Sequence, residues 1–181
     1  MRQRLTLHPA SRCDAILKIE IEAEMAGPRL SLRYVASGRI GEVKIPALTG
    51  PDRTDGLWKS TCFEAFIGSD EGDAYYEFNF AASTQWASYR FASYREGMTP
   101  ALETIEPDIQ TRAGAGGLDL RGLIDLRRLG ALPGDESLLL GVAAVIEETN
   151  GALSYWALAH PRGKPDFHHK DGFVLELTRE K

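Results

Sequence analysis

Between Trp58 and Phe91 the chain sets Glu64, Glu77, Asn79 and Arg90 among Trp58, Tyr75, Tyr76, Trp86 and Tyr89. Carboxylates, an amide and a guanidinium beside aromatic rings make either a half-solvated sheet or the lining of a ligand site. Glu64 is the most constrained of them. In TCFEAFI, Phe63, Ala65 and Ile67 alternate with Cys62, Glu64 and Phe66, so both faces are apolar except at this carboxylate. An isolated buried charge costs several kcal/mol, so Glu64 needs a partner. Arg90, on an adjoining strand, is the candidate for a structural ion pair, and contact with a ligand is the competing reading. Glu77 offers a second carboxylate. Two acids ~5–5.5 Å apart, or wider, are the requirement of glycoside hydrolysis, but nothing in the sequence fixes their separation and a solvated strand face explains Glu77 equally well. The reading adopted is a binding domain and not an enzyme, with hydrolysis through Glu64 and Glu77 kept as an alternative.

Trp58, Trp86 and Trp156 each stand beside polar residues. An exposed indole can stack on the C–H face of a sugar ring, whereas most large aromatics fill cores. Trp86, inside a strand, fits the core; Trp58, just after Gly56-Leu57, fits surface display. His160, His168 and His169, with Asp166 and Asp171, are the candidate metal donors. Adjacent histidines on extended chain point apart, however, and no third ligand falls in register. A haem would need an axial pair, and Met1, Met25 and Met98 lie far from these histidines in sequence. No cofactor is therefore expected, and a haem- or metal-binding redox module stays as the alternative. Nucleophile-elbow, Walker and dinucleotide-binding patterns are absent from the sequence, and Gly114-Ala115-Gly116-Gly117 precedes a strand, as a turn would.

The elements that would position these residues are strands. Leu17, Ile19, Ile21, Ala23 and Met25 alternate with Lys18, Glu20, Glu22 and Glu24, a strand with one wet face. After Ala26-Gly27-Pro28, Leu30, Leu32 and Tyr34 form its partner, with Glu and Arg able to pair across the hairpin. Val43 to Ile45 offers a short strand. TCFEAFI, YYEFNF and QWASYRF then follow as an antiparallel meander. Ile105 to Thr111 and Gly117 to Ile124 are further strands, and Asp125 to Leu129 is the one helical turn expected, ending before Gly130 and Pro133. SLLLGVAAVIE is buried on both faces. Asn150-Gly151 then provides a hairpin turn, LSYWALAH the return strand and FVLELT the closing strand. About ten short strands with at most one short helix give an all-β chain, an antiparallel β-sandwich of jelly-roll or immunoglobulin-like type, in one domain over 1–181.

Composition narrows the partners. A net charge of −5 with no basic stripe argues against nucleic acid. No apolar run approaches the ~20 residues that a bilayer demands, and no signal-like apolar stretch opens the chain, so a cytoplasmic location is expected. Cys13 and Cys62 lack metal-motif spacing and are expected to be free thiols.

LWKSTCFEAF followed by YYEFNF, the hairpin VAAVIEETNGALSYWALAH and the closing HPRGKPDFHHKDGFVLEL together resemble DOMON-like domains related to family 9 carbohydrate-binding modules. The resemblance runs from about Leu17 to Leu177 and rests on a tryptophan six residues before a strand glutamate, here Trp58 and Glu64. It implies that Trp58 is one wall of an aromatic clamp and that Glu64 accepts hydrogen bonds from sugar hydroxyls. Glu77 and Asn79 fall where a polar pair contacts sugar, with Glu77 standing where an arginine is expected. The second clamp wall comes from the C-terminal loop. Here that loop reads Phe167-His168-His169 and holds no tryptophan, and Ser60 and Thr61 replace the acidic residues common before the glutamate. The implied ligand is a small soluble sugar or glycoconjugate, and the partner could equally be another protein or domain that this one serves.

Overall fold

The structure is a computed structural model and describes residues 1–132 and 137–177. Its twelve strands are β1 (Arg2–Leu7), β2 (Ile16–Ala26), β3 (Arg29–Gly38), β4 (Cys62–Ser69), β5 (Tyr75–Phe80), β6 (Trp86–Phe91), β7 (Thr99–Pro100), β8 (Asp108–Gly114), β9 (Gly117–Asp125), β10 (Leu138–Glu147), β11 (Leu153–Ala157) and β12 (Leu175–Leu177). All strand pairs are antiparallel, in the order β7-β6-β5-β4-β10-β11-β1-β2-β3-β9-β8, with β12 also on β10. The all-β reading and the 62–91 meander hold.

β1 makes this one continuous, curled sheet. Its Arg2–Leu5 stretch pairs with β2, while Thr6 and Leu7 pair with β11. One face of the β4–β5–β10 half thereby meets one face of the β3–β9 half across the main core, where Leu30, Leu32 and Leu120 oppose Phe63, Phe78 and Val142. Tyr34 ties the two halves together. Its ring lies 5.0 Å from that of Phe63, and its buried hydroxyl donates to the Glu64 carbonyl at 2.9 Å.

Several boundaries differ from the sequence reading. β1 was not expected, because of its six residues only Leu5 is buried and the alternation is too short to read. The two-residue β7 was likewise missed. Val43 forms a single bridge to Glu148 instead of a strand, since the flanking segment turns into a 3-10 turn at Ile40–Glu42. Helix is confined to four such turns among the described residues, at Ile40–Glu42, Leu57–Lys59, Leu126–Arg128 and Lys170–Gly172, where one was expected. The expected turn is the third, capped by the Asp125 carboxylate, which accepts from the Arg127 N–H; Pro133 lies outside the described residues. β11 stops at Ala157, short of His160. The closing strand is reduced to Leu175–Leu177, and Thr178 lies outside the described residues.

The hairpin pairing is as expected: Glu22 faces Arg33 across β2–β3, with the charges 3.2 Å apart, and Arg33 also reaches Asp119 at 2.6 Å. The Asn150-Gly151 turn differs in kind. Only Gly151 has a positive φ, +86°, with its N–H donating to the Glu148 carbonyl, while the Asn150 side chain accepts from the Ala152 N–H. This is the longer hairpin loop with glycine in the left-handed position.

Because the Tyr34 hydroxyl lies fully buried against a single acceptor, Tyr34→Phe is expected to lower stability by about 1 kcal/mol, the ordinary net value of such a bond. A urea midpoint unchanged from wild type would contradict this cross-core tie.

Candidate functional site

β4 and β5 are buried along their whole length on both faces. The inner face joins the main core. The outer face, with Phe66, Tyr75, Tyr89, Phe91 and Ala143, builds a second apolar cluster that Trp58, Phe167 and Phe173 cover. Register puts the polar residues on this outer face: Glu64 pairs with Asn79 and Phe66 with Glu77, making Glu64 and Glu77 diagonal neighbours. Cβ atoms so related are about 7 Å apart.

Two loops roof this face. In the first, Gly56 at φ +81° starts the 3-10 turn carrying Trp58, whose ring stands edge-on to Tyr89 at 5.5 Å. Ser60, which ends that turn, donates to the Glu147 carboxylate, and Lys44 binds the same carboxylate at 2.9 Å. In the second loop Phe167 lies against Tyr155 at 6.1 Å, and the His168 ring packs between Phe66 and Phe91 at 5.2 and 5.0 Å. Asp166 fastens this loop to the 92–97 turn. It accepts from the Tyr94 hydroxyl, from the Arg95 guanidinium at 2.8 Å and from the His168 N–H at 3.1 Å. Arg95 itself has a left-handed backbone, φ +57°, and its N–H donates to the Tyr75 hydroxyl at 3.2 Å.

Under this roof is a cavity of about 210 Å³ lined by Trp58, Glu64, Glu77, Arg95, Val145, Tyr155, Pro165, Phe167 and His168. A larger cavity of about 660 Å³ lies beyond Tyr75 and His168, among residues 68–75 and 168–174. The smaller cavity is the candidate site because the carboxylates and the aromatic walls converge there.

Among the sequence candidates, Trp58, Glu64, Glu77, Phe167 and His168 line this one cavity. Asn79 does not; it is 0% exposed beneath the floor, where its amide donates to Glu77 Oε1 at 2.7 Å and its oxygen accepts from the Cys62 thiol. Arg90 is a correction. It shares the opposite face of its strand with Trp86 and Ser88, opposite Tyr76, and pairs with Glu103 at 3.3 Å, so the expected Glu64–Arg90 ion pair does not form. Trp156 is another. It pairs with Ala144 on the inner face and donates its indole N–H to Ser154, while its neighbour Tyr155 faces the cavity. His169 turns away to cap the turn at 170–172 and meets Tyr94 edge-on. No three His, Cys, Asp or Glu side chains among the described residues converge as a metal donor set, and His160 faces the Thr6 carbonyl.

Sequence reasoning missed Arg95, Tyr155 and Tyr75. The hairpin register counted from Gly151 could have chosen Tyr155 over Trp156. Arg95 comes from an irregular turn with no periodic signal.

The electrostatics follow from burial. Glu64 is 3% exposed, neither carboxyl oxygen has a hydrogen-bond partner among the described residues, and burial, reinforced by the nearby Glu77, pushes its pKa well above the usual carboxylate range. Burial lifts Glu77 to about 7, against the opposing Asn79 bond and Arg95 charge. Burial and Arg95 together lower His168 to about 4. His168 is thus neutral although its Nε2 is 3.9 Å from Glu77. Its Nδ1 sits 2.8 Å from the Tyr75 hydroxyl, and its Nε2 faces Glu77.

No family model matches the sequence, and no curated protein matches it either. Solved structures do match. A Bacteroides uniformis protein proposed to bind carbohydrate superimposes with a TM-score of 0.68 at 13% identity, over 96% of this chain and 84% of that one. At that identity the likeness shows a shared fold alone. A family 9 carbohydrate-binding module from Caldicellulosiruptor kristjanssonii, in complexes with glucose and with cellotriose, is a looser fit at TM-scores of 0.48 and 0.45. Those two share 11% and 12% identity over 85% of this chain and 72% and 70% of theirs, too distant to bear on the site. Among the described residues no helix is long and apolar enough to cross a membrane.

Of the shifted groups, Glu77 and His168 pull stability in opposite directions. Glu77, raised, is stabilising when protonated, so its contribution falls as pH rises from about 4.5 to about 7. His168, lowered, is stabilising when neutral, so its contribution grows as pH rises from about 4 to 6.5. Relative to wild type, Glu77→Gln is expected to gain stability, and His168→Gln to lose it, as pH climbs from 4.5 to 6.5. Urea melts at three pH values check this, and profiles parallel to wild type would refute it.

Proposed function

We propose that the chain is a non-catalytic, cofactor-free sugar-binding domain of β-sandwich, jelly-roll type, occupying 1–181 as one unit in the cytoplasm and taking a small sugar or glycoconjugate over the outer face of β4 and β5. The observation that carries this reading is the convergence of Trp58, Phe167 and Tyr155 with Glu64 and Glu77 around one cavity. Aromatic faces suit the C–H face of a ring, and the unpartnered Glu64 carboxyl suits its hydroxyls. At about 210 Å³ the cavity is smaller than the ~300 Å³ at which pockets for drug-sized ligands begin, which favours one ring over a chain. In this reading Phe167 takes the place of a second clamp tryptophan and His168 orients the wall behind it, while Asn79 serves by holding Glu77.

A single ring makes few contacts, so the affinity expected is micromolar to millimolar, about −4 to −8 kcal/mol. Calorimetry against monosaccharides and short oligosaccharides is the test. Trp58→Ala is expected to weaken binding at least tenfold, and a panel without binding, or binding indifferent to that substitution, would remove the reading.

Hydrolysis through Glu64 and Glu77 is the second reading, favoured by their sharing one face and one cavity. Release of nitrophenol from aryl glycosides, abolished by Glu64→Gln, is the result that would establish it in place of binding.

A further inference from the structure

The acceptors lining the cavity outnumber the donors that reach them. Glu64 and Glu77 both reach it, and the one basic side chain on its wall, Arg95, holds Asp166 at 2.8 Å. The remaining polar group, His168, spends Nδ1 on Tyr75 and carries no positive charge. Glu77 has the Asn79 amide on Oε1, a neutral donor. Glu64, although 3% exposed, has no donor on either oxygen among the described residues, and Oε1 is wholly buried. Two diagonal carboxylates buried side by side repel when both are ionised, which is why burial holds them toward the protonated form, and a cation between them would stabilise the ionised pair.

The walls suit a cation as well. Trp58, Tyr155 and Phe167 border the same space, and aromatic faces attract an ammonium through their quadrupoles, most strongly when water is excluded. A neutral sugar would donate hydroxyl protons to Glu64 but would not stabilise the two acids in their ionised form. A ring bearing a protonated amine does both, through charge-assisted hydrogen bonds.

The geometry points to an amino sugar, a pyranose carrying a free ammonium group, as the ligand class of this cavity, with Glu64 and Glu77 as the ammonium acceptors and Trp58 as the stacking wall. This rests on the sugar reading of the same site and narrows it.

The experiment is calorimetric titration of the whole chain at pH 7 with glucosamine, glucose, N-acetylglucosamine and cyclohexylamine. Glucosamine binding at least tenfold more tightly than glucose, with N-acetylglucosamine no tighter than glucose, is the expected result. Glu77→Gln, its fold checked by near-ultraviolet circular dichroism, is expected to shrink that preference to less than threefold. Glucose binding as well as or better than glucosamine overturns the ammonium inference and leaves sugar binding standing, as does N-acetylglucosamine matching glucosamine. Cyclohexylamine binding while no sugar binds overturns the sugar reading and keeps the cation site. Binding by none of the four overturns both. The comparison among ligands is made on the wild-type chain, so it decides the matter even if the variant does not fold.

Discussion

Everything around the candidate site depends on a pair of strands that have no wet side. β4 and β5 face the main core with one set of residues and the second, smaller cluster with the other. In a sheet with one solvated face, Glu64 and Glu77 would project into water and behave as ordinary carboxylates. Roofed by Trp58 and by the 165–173 segment, they lose that solvent, and the cost must be met by protons, by hydrogen bonds or by a ligand. The raised pKa of both, the amide of Asn79 tucked against Glu77, and the neutral His168 opposite are successive answers to that one constraint.

The scaffold that imposes the constraint is tied together by few polar contacts. Tyr34 crosses the core to the backbone of the very residue whose side chain forms the cavity floor on the other face. Glu147 links the end of β10 to the Trp58 turn through Ser60. Its neighbour Glu148, which is buried, accepts the N–H groups of Asp14 and Ala15 and fixes the segment between β1 and β2. Packing supplies most of the cohesion, and these bonds set register and aim.

How much of this the sequence disclosed depends on periodicity. The alternation over 17–25 and across TCFEAFI and YYEFNF is regular enough to assign faces, and the faces assigned to Glu64 and Glu77 are those found. That reasoning fails where the chain has no period. Arg95 lies in a turn with a left-handed backbone, and no spacing rule marks it as a wall of the cavity. Residue type alone is no better a guide, since the tryptophan at 156 turns inward and its neighbour Tyr155 faces the cavity. Arg90 shares its parity with Trp86 and Ser88, and its facing relative to Glu64 depends on which face of β6 meets the main core. Long-range strand neighbours, such as β1 joining β11, leave no local trace.

The Tyr75 hydroxyl occupies a singular position in this arrangement. It receives the N–H of Arg95 and shares a hydrogen bond with His168 Nδ1, and those two residues are fastened to each other through Asp166. The four residues form a closed circuit joining a strand, a turn and a loop that are otherwise far apart in sequence. Replacing Tyr75 or Asp166 breaks two joints at once, whereas Arg95 and His168 each lose one, because their other bond is made by a backbone N–H. In a lineage of related proteins, positions 75 and 166 would therefore be held most tightly, whereas Phe167, which stands in the loop between two members of the circuit but outside it, is at liberty to change alone. The wall of the cavity that touches a ligand can then vary while its hinge stays fixed.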